Sequence, residues 1–485
     1  MRQLVAVAAA MLVAGTGHAT ELAIVLQDES GLRQAPGDRA RPHAFLWQGE
    51  IVEVRGEALD FLSVYDYRRE RGGFVRASRL RRLALGPQAA PELLAVLRFL
   101  RDSQGSEALG LGFAAAYVEA APPEALNGAA GAEALDALGT FASRLAGRAS
   151  RGARGRAAQR ALAAHLEVAA RHGVRIDGRE LGGRLSFCYD GAAYRRVLAM
   201  ASSPEQRARA ALALTRPECL GADLSPAGRL RADEWRADVL DRVDESRLVP
   251  LARNRVLVRR AAVWAGLAYH YARQGVDAGA AGRRALQALA GVRGAALAAE
   301  DHTAYAEAAV RVGASRWAIA TAPPPAPPGE LPRLVTRAQA SGETCVLLVN
   351  GRRGPAQPLA KRCTYGLVWI ASQSMNREAT ALALAVQQTE AWRELWVFRK
   401  ARRGWTVRVL PPAAATPGVG YAEFAGWLPG GQRMLVAREL ARARTFELLQ
   451  LDTLAPVARA GAPGDLPVFL RWQDPAWKAA TVSLR

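Results

Sequence analysis

Apolar and polar positions repeat in blocks along this chain. The period is two near the start, helical through the middle, and two again towards the end. Between Phe45 and Leu80, Val52 and Val54 alternate with Glu53 and Arg55, as on a strand with one buried face. Residues 56–60 read as a turn, and Phe61, Leu62 and Val64 begin a second strand. A charged stretch from Tyr67 to Gly73 reads as an exposed hairpin tip, and Phe74 and Val75 start a third strand. Short strands joined by tight turns predict a small barrel or sandwich. From Ala90 the period becomes helical. Leu93, Val96, Leu97 and Leu100 form one apolar face, Leu135, Leu138, Phe141 and Leu145 another, and Leu162, Leu166 and Ala169 a third, which His172-Gly173 stops. Ser203-Pro204-Glu205-Gln206 is a capping box with proline at the first helical position, and Arg216-Pro217 ends that helix. Further helical runs lie near 233–244, 250–274, 284–292 and 295–313. Residues 90–320 are therefore expected to form an all-helical domain of antiparallel helices.

Residues 321–333 are rich in proline, which holds an extended linker and cannot continue a helix. Beyond it, strands are expected in groups. Cys345–Val349 and Leu359–Cys363 make a pair, four strands follow within 364–411, four more within 420–460, and Val468–Trp472 with Ala480–Leu484 make a last pair. The segment Gly426-Trp427-Leu428-Pro429-Gly430-Gly431, followed by a short apolar strand, resembles a blade motif of WD-type or TolB-type propellers. Joining the two end pairs gives three blades, fewer than the roughly four of a closed ring. The resemblance thus implies an open or partial propeller, a homodimer that completes one ring through the β domain, or a different sheet. One helix pair, with Trp264, Leu267, Ala268, Tyr271, Gly275, Ala281, Ala285 and Ala288, loosely resembles a tetratricopeptide unit, and an Ala-rich helix pair gives the same pattern.

The first strand block has a more specific likeness. Gly31-Leu32-Arg33-Gln34-Ala35-Pro36, then Gly49-Glu50 with Val52 and Val54, then Asp60-Phe61-Leu62-Ser63-Val64, then Gly73-Phe74-Val75 with Ala77-Ser78 and Leu80 resemble a bacterial SH3-like domain over 22–82. The Arg-rich tip at Arg68, Arg69 and Arg71 departs from that pattern. The resemblance implies binding, to a cell-wall peptide, to peptidoglycan or to a partner protein of the envelope. Trp47, Tyr65, Tyr67 and Arg68 are the candidate contact residues, and the alternative for Trp47 and Tyr65 is packing inside the barrel. The expected fold class is multidomain α+β: an SH3-like barrel (22–82), a helical domain (90–320), a linker (321–333) and a C-terminal all-β domain (334–485) resembling a partial β-propeller.

Charge and targeting place these modules. The 485 residues carry a formal net charge of +20, almost all of it from arginine, which favours anionic neighbours without specifying one. Arg2, the apolar run Leu4–Val13 and Gly17-His18-Ala19 have the form of a secretory leader cleaved after Ala19. No later run approaches the ~20 apolar residues of a membrane helix. The expected location is the periplasm or the exterior. There, four cysteines in two near pairs favour disulfides, and Cys188–Cys219 with Cys345–Cys363 is the simplest of three pairings.

Catalytic patterns are sparse. Gly110-Leu111-Gly112-Phe113-Ala114-Ala115 matches a dinucleotide fingerprint only in its first two glycines and follows a helix, not a strand. No metal-ligand or cofactor pattern stands out, and His165 on the apolar face of its helix reads as a satisfied core residue. Arg144, Arg148, Arg151, Arg154, Arg156 and Arg160 could hold anions or form a solvated helix face; no aromatics interleave them, so nucleic acid is not expected. The expected function is non-catalytic binding or scaffolding in the envelope. The rival is a papain-like cell-wall peptidase or amidase with a cysteine nucleophile, although neither Phe187-Cys188-Tyr189 nor Arg362-Cys363-Thr364 has that family's nucleophile turn.

Overall fold

Alternation in the first block becomes a seven-stranded antiparallel sheet in the computed structural model, which describes residues 21–181, 183–221, 223–320, 330–414, 418–441 and 443–480. The expected leader and residues 321–329 of the linker lie outside the described residues. The chain divides into two compact units, Met1–Ser202 and Ser203–Arg485.

In the first unit the strands are β1 (Leu22–Val25), β2 (Ser30–Arg33), β3 (Pro42–Leu46), β4 (Ile51–Ala58), β5 (Phe61–Asp66), β6 (Arg71–Arg76) and β7 (Leu80–Leu83), in the order β3-β2-β6-β5-β4-β1-β7. The period of two sends Val52, Val54, Leu62, Val64 and Val75 to one face, where Ala23, Val25, Leu32 and Leu46 complete a core. Ile24 and Leu83 point the other way, into a second core built by helices. Those helices are α1 (Ala90–Arg101), α2 (Glu107–Ala120), α3 (Pro123–Asn127), α4 (Ala129–Arg151) and α5 (Arg156–Arg171). Leu93, Leu97, Leu111, Phe113, Tyr117, Phe141 and Leu145 fill that core. Gly110 and Gly112 have a packing role. A Cβ on Gly110 would sit 2.5 Å from the Phe141 ring, and one on Gly112 would sit 2.7 Å from the Gly49 carbonyl. The two glycines let α2 approach α4 on one side and the sheet on the other.

The expectation of an all-helical middle is corrected here. Residues β8 (Ile176–Leu181) and β9 (Arg184–Tyr189) form an antiparallel hairpin before α6 (Ala192–Ala199). The helical stretch is also divided, since α6 ends the first unit and the next helix opens the second.

In the second unit, α7 (Pro204–Leu214) starts on the capping box read from the sequence: the Ser203 hydroxyl accepts from the Gln206 amide and the Gln206 side chain accepts from the Ser203 amide. Helices α8 (Pro226–Asp241), α9 (Pro250–Arg273), α10 (Gly279–Ala290) and α11 (His302–Ala314) follow. Small residues let α9, α10 and α11 share one core of Leu257, Ala261, Ala265, Ala285, Leu289, Ala308 and Val312. Next, β10 (Arg333–Ala338), β11 (Thr344–Val349) and β12 (Ala360–Thr364) form a three-stranded sheet in which Cys345 and Cys363 are cross-strand partners joined by a disulfide.

Two groups of four strands follow, as the sequence pattern predicts: β13 (Leu367–Met375), β14 (Ala381–Thr389), β15 (Trp392–Ala401) and β16 (Gly404–Leu410), then β17 (Gly420–Trp427), β18 (Arg433–Leu440), β19 (Ala443–Gln450) and β20 (Pro456–Ala460). Each group is an antiparallel meander. A short parallel step, with Trp392 opposite Gly420 and Arg393 opposite Tyr421, joins them into one open eight-stranded sheet. The expected last strand pair is a second correction. Residues 467–480 form α12 (Pro467–Trp472) and α13 (Pro475–Ala480), and 481–485 lie outside the described residues. The C-terminal part is thus not all β. Pro467 and Pro475 each sit in a first helical turn, where the missing N–H costs nothing. The short run Val468–Trp472 fits either period, so the prolines decide.

Candidate functional site

The β4–β5 pairing sets Glu53 opposite Tyr65. On that surface the Tyr65 and Tyr67 rings meet edge to face, 5.0 Å apart, and the Arg55 guanidinium lies 3.8 Å from the Tyr65 ring centre. Glu53 ties the group together, accepting from Arg55 Nε at 2.8 Å and from the Tyr67 hydroxyl at 3.0 Å. The Arg55 hydrogen bond, seconded by Tyr67, holds the Glu53 carboxyl below its ordinary range. Tyr67 stays 64% exposed, so the ledge is ordered without being covered.

Trp47 and Arg68 are not part of this group. Trp47 is half-buried in the turn before β4, with its amide donating to Glu50 Oε2 at 3.3 Å. Arg68 pairs with Glu167 on α5. The charged tip expected between β5 and β6 is also partly tucked in. Arg69 donates to both oxygens of the buried Glu50 at 3.1 Å and pairs with Asp66, and Arg171 on α5 reaches the same Glu50 at 3.1 Å. Buried carboxylates require cations, and these arginines supply them. Arg55, which belongs to the ledge, was missed because a strand arginine opposite no obvious partner reads as ordinary surface.

A second polar group lies deeper in the same unit. His165 on α5 is 2% exposed. Its Nε2 is 2.9 Å from Asp28 Oδ1, and its Nδ1 is 3.3 Å from Arg148 Nη2 on α4. A guanidinium can only donate, so Nδ1 accepts in this contact, while Nε2 lies between Asp28 Oδ1 and the Gln48 side-chain amide nitrogen, 3.3 Å away. Arg148 also pairs with the buried Glu107. Gln48 donates its backbone amide to Asp28 Oδ1 at 3.2 Å and its side-chain amide to Asp28 Oδ2 at 3.3 Å. Burial opposes ionisation of Asp28, but the hydrogen bonds from His165 and Gln48 outweigh it and hold the carboxyl below its ordinary range. Beside this chain of bonds is a cavity of about 330 Å³ lined by Asp28, Gln48, Arg148, Arg151, Leu162 and His165, among others. Among the described residues that line it there is no serine, threonine, tyrosine, cysteine or lysine.

The second unit has its own cluster. One ligand atom each from Asp233, His270 and Glu390 lie within 4.8 Å of one another, a spacing that could suit a metal ion. Charge argues against that use. Arg236 donates to Asp233 at 2.6 Å, Arg229 reaches both carboxylates at 3.6 Å, and Arg311 pairs with Glu390. Three guanidiniums already neutralise two carboxylates. Burial raises the Glu390 pKa, but His270, Arg311 and Arg229 reverse the sign and bring it down to about 2. The neighbouring α7 carboxyl end is closed the same way. The Thr215 carbonyl accepts from Arg236 Nη2 at 2.7 Å and from Arg259 Nη1 at 2.6 Å, which satisfies an end-of-helix acceptor with positive charge. Arg393, fully buried, donates to Glu423 and to the Ala314 carbonyl at 3.0 Å each.

Besides the Cys345–Cys363 bridge, Cys188 and Cys219 are disulfide-bonded, and no cysteine is free. No described helix is long and apolar enough to cross a membrane. No family model matches the chain, and neither a curated protein nor a solved structure matches it.

Proposed function

We propose that this chain is an exported, non-catalytic binding protein of the cell envelope, whose N-terminal unit holds a peptide, a peptidoglycan strand or an envelope protein. The observation that carries this reading is the Arg55–Tyr65–Tyr67 ledge: two aromatic rings and a cation, fixed by Glu53 and open to solvent. Rigid aromatic groups offer contact area at small entropic cost, and arginine beside them adds hydrogen bonds and cation–π attraction. The sheet that presents them is read as an SH3-like module, in keeping with the order of its sequence pieces. The two four-stranded meanders of the second unit are read as blade-like and as the place for a protein partner. Bonding of all four cysteines supports an oxidising compartment and leaves no thiolate for the papain-like alternative.

The test is co-sedimentation of the mature chain with purified peptidoglycan, with released fragments measured in the supernatant. Retention without release is expected, with retention reduced at least about fivefold by Tyr65→Ala with Tyr67→Ala. Release of fragments that Cys188→Ala abolishes and Cys219→Ala, which also removes a disulfide-bonded cysteine, leaves intact would establish the hydrolase instead. Undiminished retention of the double variant would remove the ledge from the account.

A further inference from the structure

The basic run that could pass for one solvated helix face is not one face. Gly152, with φ of +71°, ends α4 after Arg151, and α5 restarts at Arg156. Arg148 and the exposed Arg151, at the end of α4, line the cavity beside Asp28 and His165. We propose that this cleft is a binding site for the free C-terminal carboxylate of a peptide that ends in small aliphatic residues.

The charges of the cleft are committed with one exception. Arg148 is held by Glu107 and His165, and Asp28 by His165 and Gln48. Arg151 lines the cavity and makes no ion pair with a described carboxylate. A guanidinium in that position fits a carboxylate with two parallel hydrogen bonds. Beside it, the first turn of α5 has no side-chain cap and no acidic residue, so its amides add to the positive end of the cleft. The opposite end is different. Asp28, one-third exposed, retains acceptor capacity at Oδ2 and can take a peptide N–H. The same carboxylate repels a doubly charged phosphate more than a singly charged peptide terminus. Ala158, Ala161 and Leu162 supply an apolar wall, which suits short aliphatic side chains and gives nothing to a bare inorganic anion. At about 330 Å³ the cavity is at the small end of ligand pockets, which run from roughly 300 to 1,000 Å³. This site is separate from the tyrosine ledge, and either can fail without the other.

The experiment is ligand-observed NMR titration of the full mature chain at low salt with N-acetyl-Ala-Ala, its C-terminal amide and inorganic phosphate. The acid is expected to bind, and the amide to bind about tenfold or more weakly. Arg151→Ala should cause a loss of similar size. Ala161→Leu, which fills the cavity and keeps every charge, should also abolish binding, while Tyr67→Ala should leave it unchanged. Thermal unfolding of each variant establishes that it is folded. Absence of dipeptide binding, equal binding of acid and amide, or insensitivity to Arg151→Ala overturns the site. Phosphate binding as tightly as the dipeptide overturns the carboxylate assignment.

Discussion

Each unit holds a histidine wedged among carboxylates and arginines, and the two clusters differ in what is left over. Around Asp233, His270 and Glu390, each of Arg229, Arg236 and Arg311 reaches a carboxylate. Around Asp28 and His165, Arg148 is committed and Arg151 is not, and a cavity lies beside them. The same residue types thus make a staple in one place and an open site in the other. Ion pairing of every arginine marks the first of these as a staple, even though His270 Nε2 and Arg229 Nε make no hydrogen bond there, and the adjoining cavity marks the second as open.

The largest expected effect concerns the staple. Asp233→Ala leaves the buried Arg236 without its carboxylate and should destabilise the second unit by about 3–5 kcal/mol, as measured by denaturant unfolding. A change under about 1 kcal/mol would show that the cluster is not closed as described. Replacing Cys345 and Cys363 together by alanine should cost about 3 kcal/mol, from a bridge that spans 18 residues. Here the comparison sharpens, because the loss should appear in the second unit and leave dipeptide binding by the first intact.

Glu390 gives the comparison a pH signature. Its carboxyl titrates near 2 in the folded chain against an ordinary 4.5. A depressed folded value stabilises above the unfolded value, so the contribution is complete above about pH 4.5 and is lost as pH falls towards 2. The change in stability across that window should be about 3 kcal/mol and should largely vanish in Glu390→Gln. A variant with the same slope as the parent would contradict the assignment. The smallest effect belongs to the ledge. Tyr67→Ala should change stability by about 0.5 kcal/mol or less, since the ring is largely exposed, while weakening retention on peptidoglycan.

Local patterns carried much of the fold. Alternation at Val52 and Val54, the capping box at Ser203 and Gln206, and the two four-strand groups all have counterparts in the structure. These features are set by residues close in sequence. The misses have a common cause. The hairpin at 176–189 lies within helical surroundings, and a five-residue run with four apolar residues near Phe469 cannot choose between periods by itself. The cleft was hidden for a different reason: Asp28 and His165 are 137 residues apart, and neither carries a motif. His165 read as a satisfied core residue, which its bond to Asp28 agrees with, but its partner could not be named. Arg151 was visible only as one cation in a run, because the break at Gly152, which ends α4 beside the cavity, is a matter of backbone geometry.

Ligand is proposed to bind in the first unit, beside the open cavity and the exposed ledge, and not at the ion-paired cluster of the second. Hydrogen–deuterium exchange of the full chain, with and without saturating soluble peptidoglycan fragments, tests it directly. Added protection is expected in β4–β5 and in the α4–α5 segment, with none around Asp233 and Glu390. Protection confined to 229–236 and 388–394, with the first unit unchanged, would contradict it.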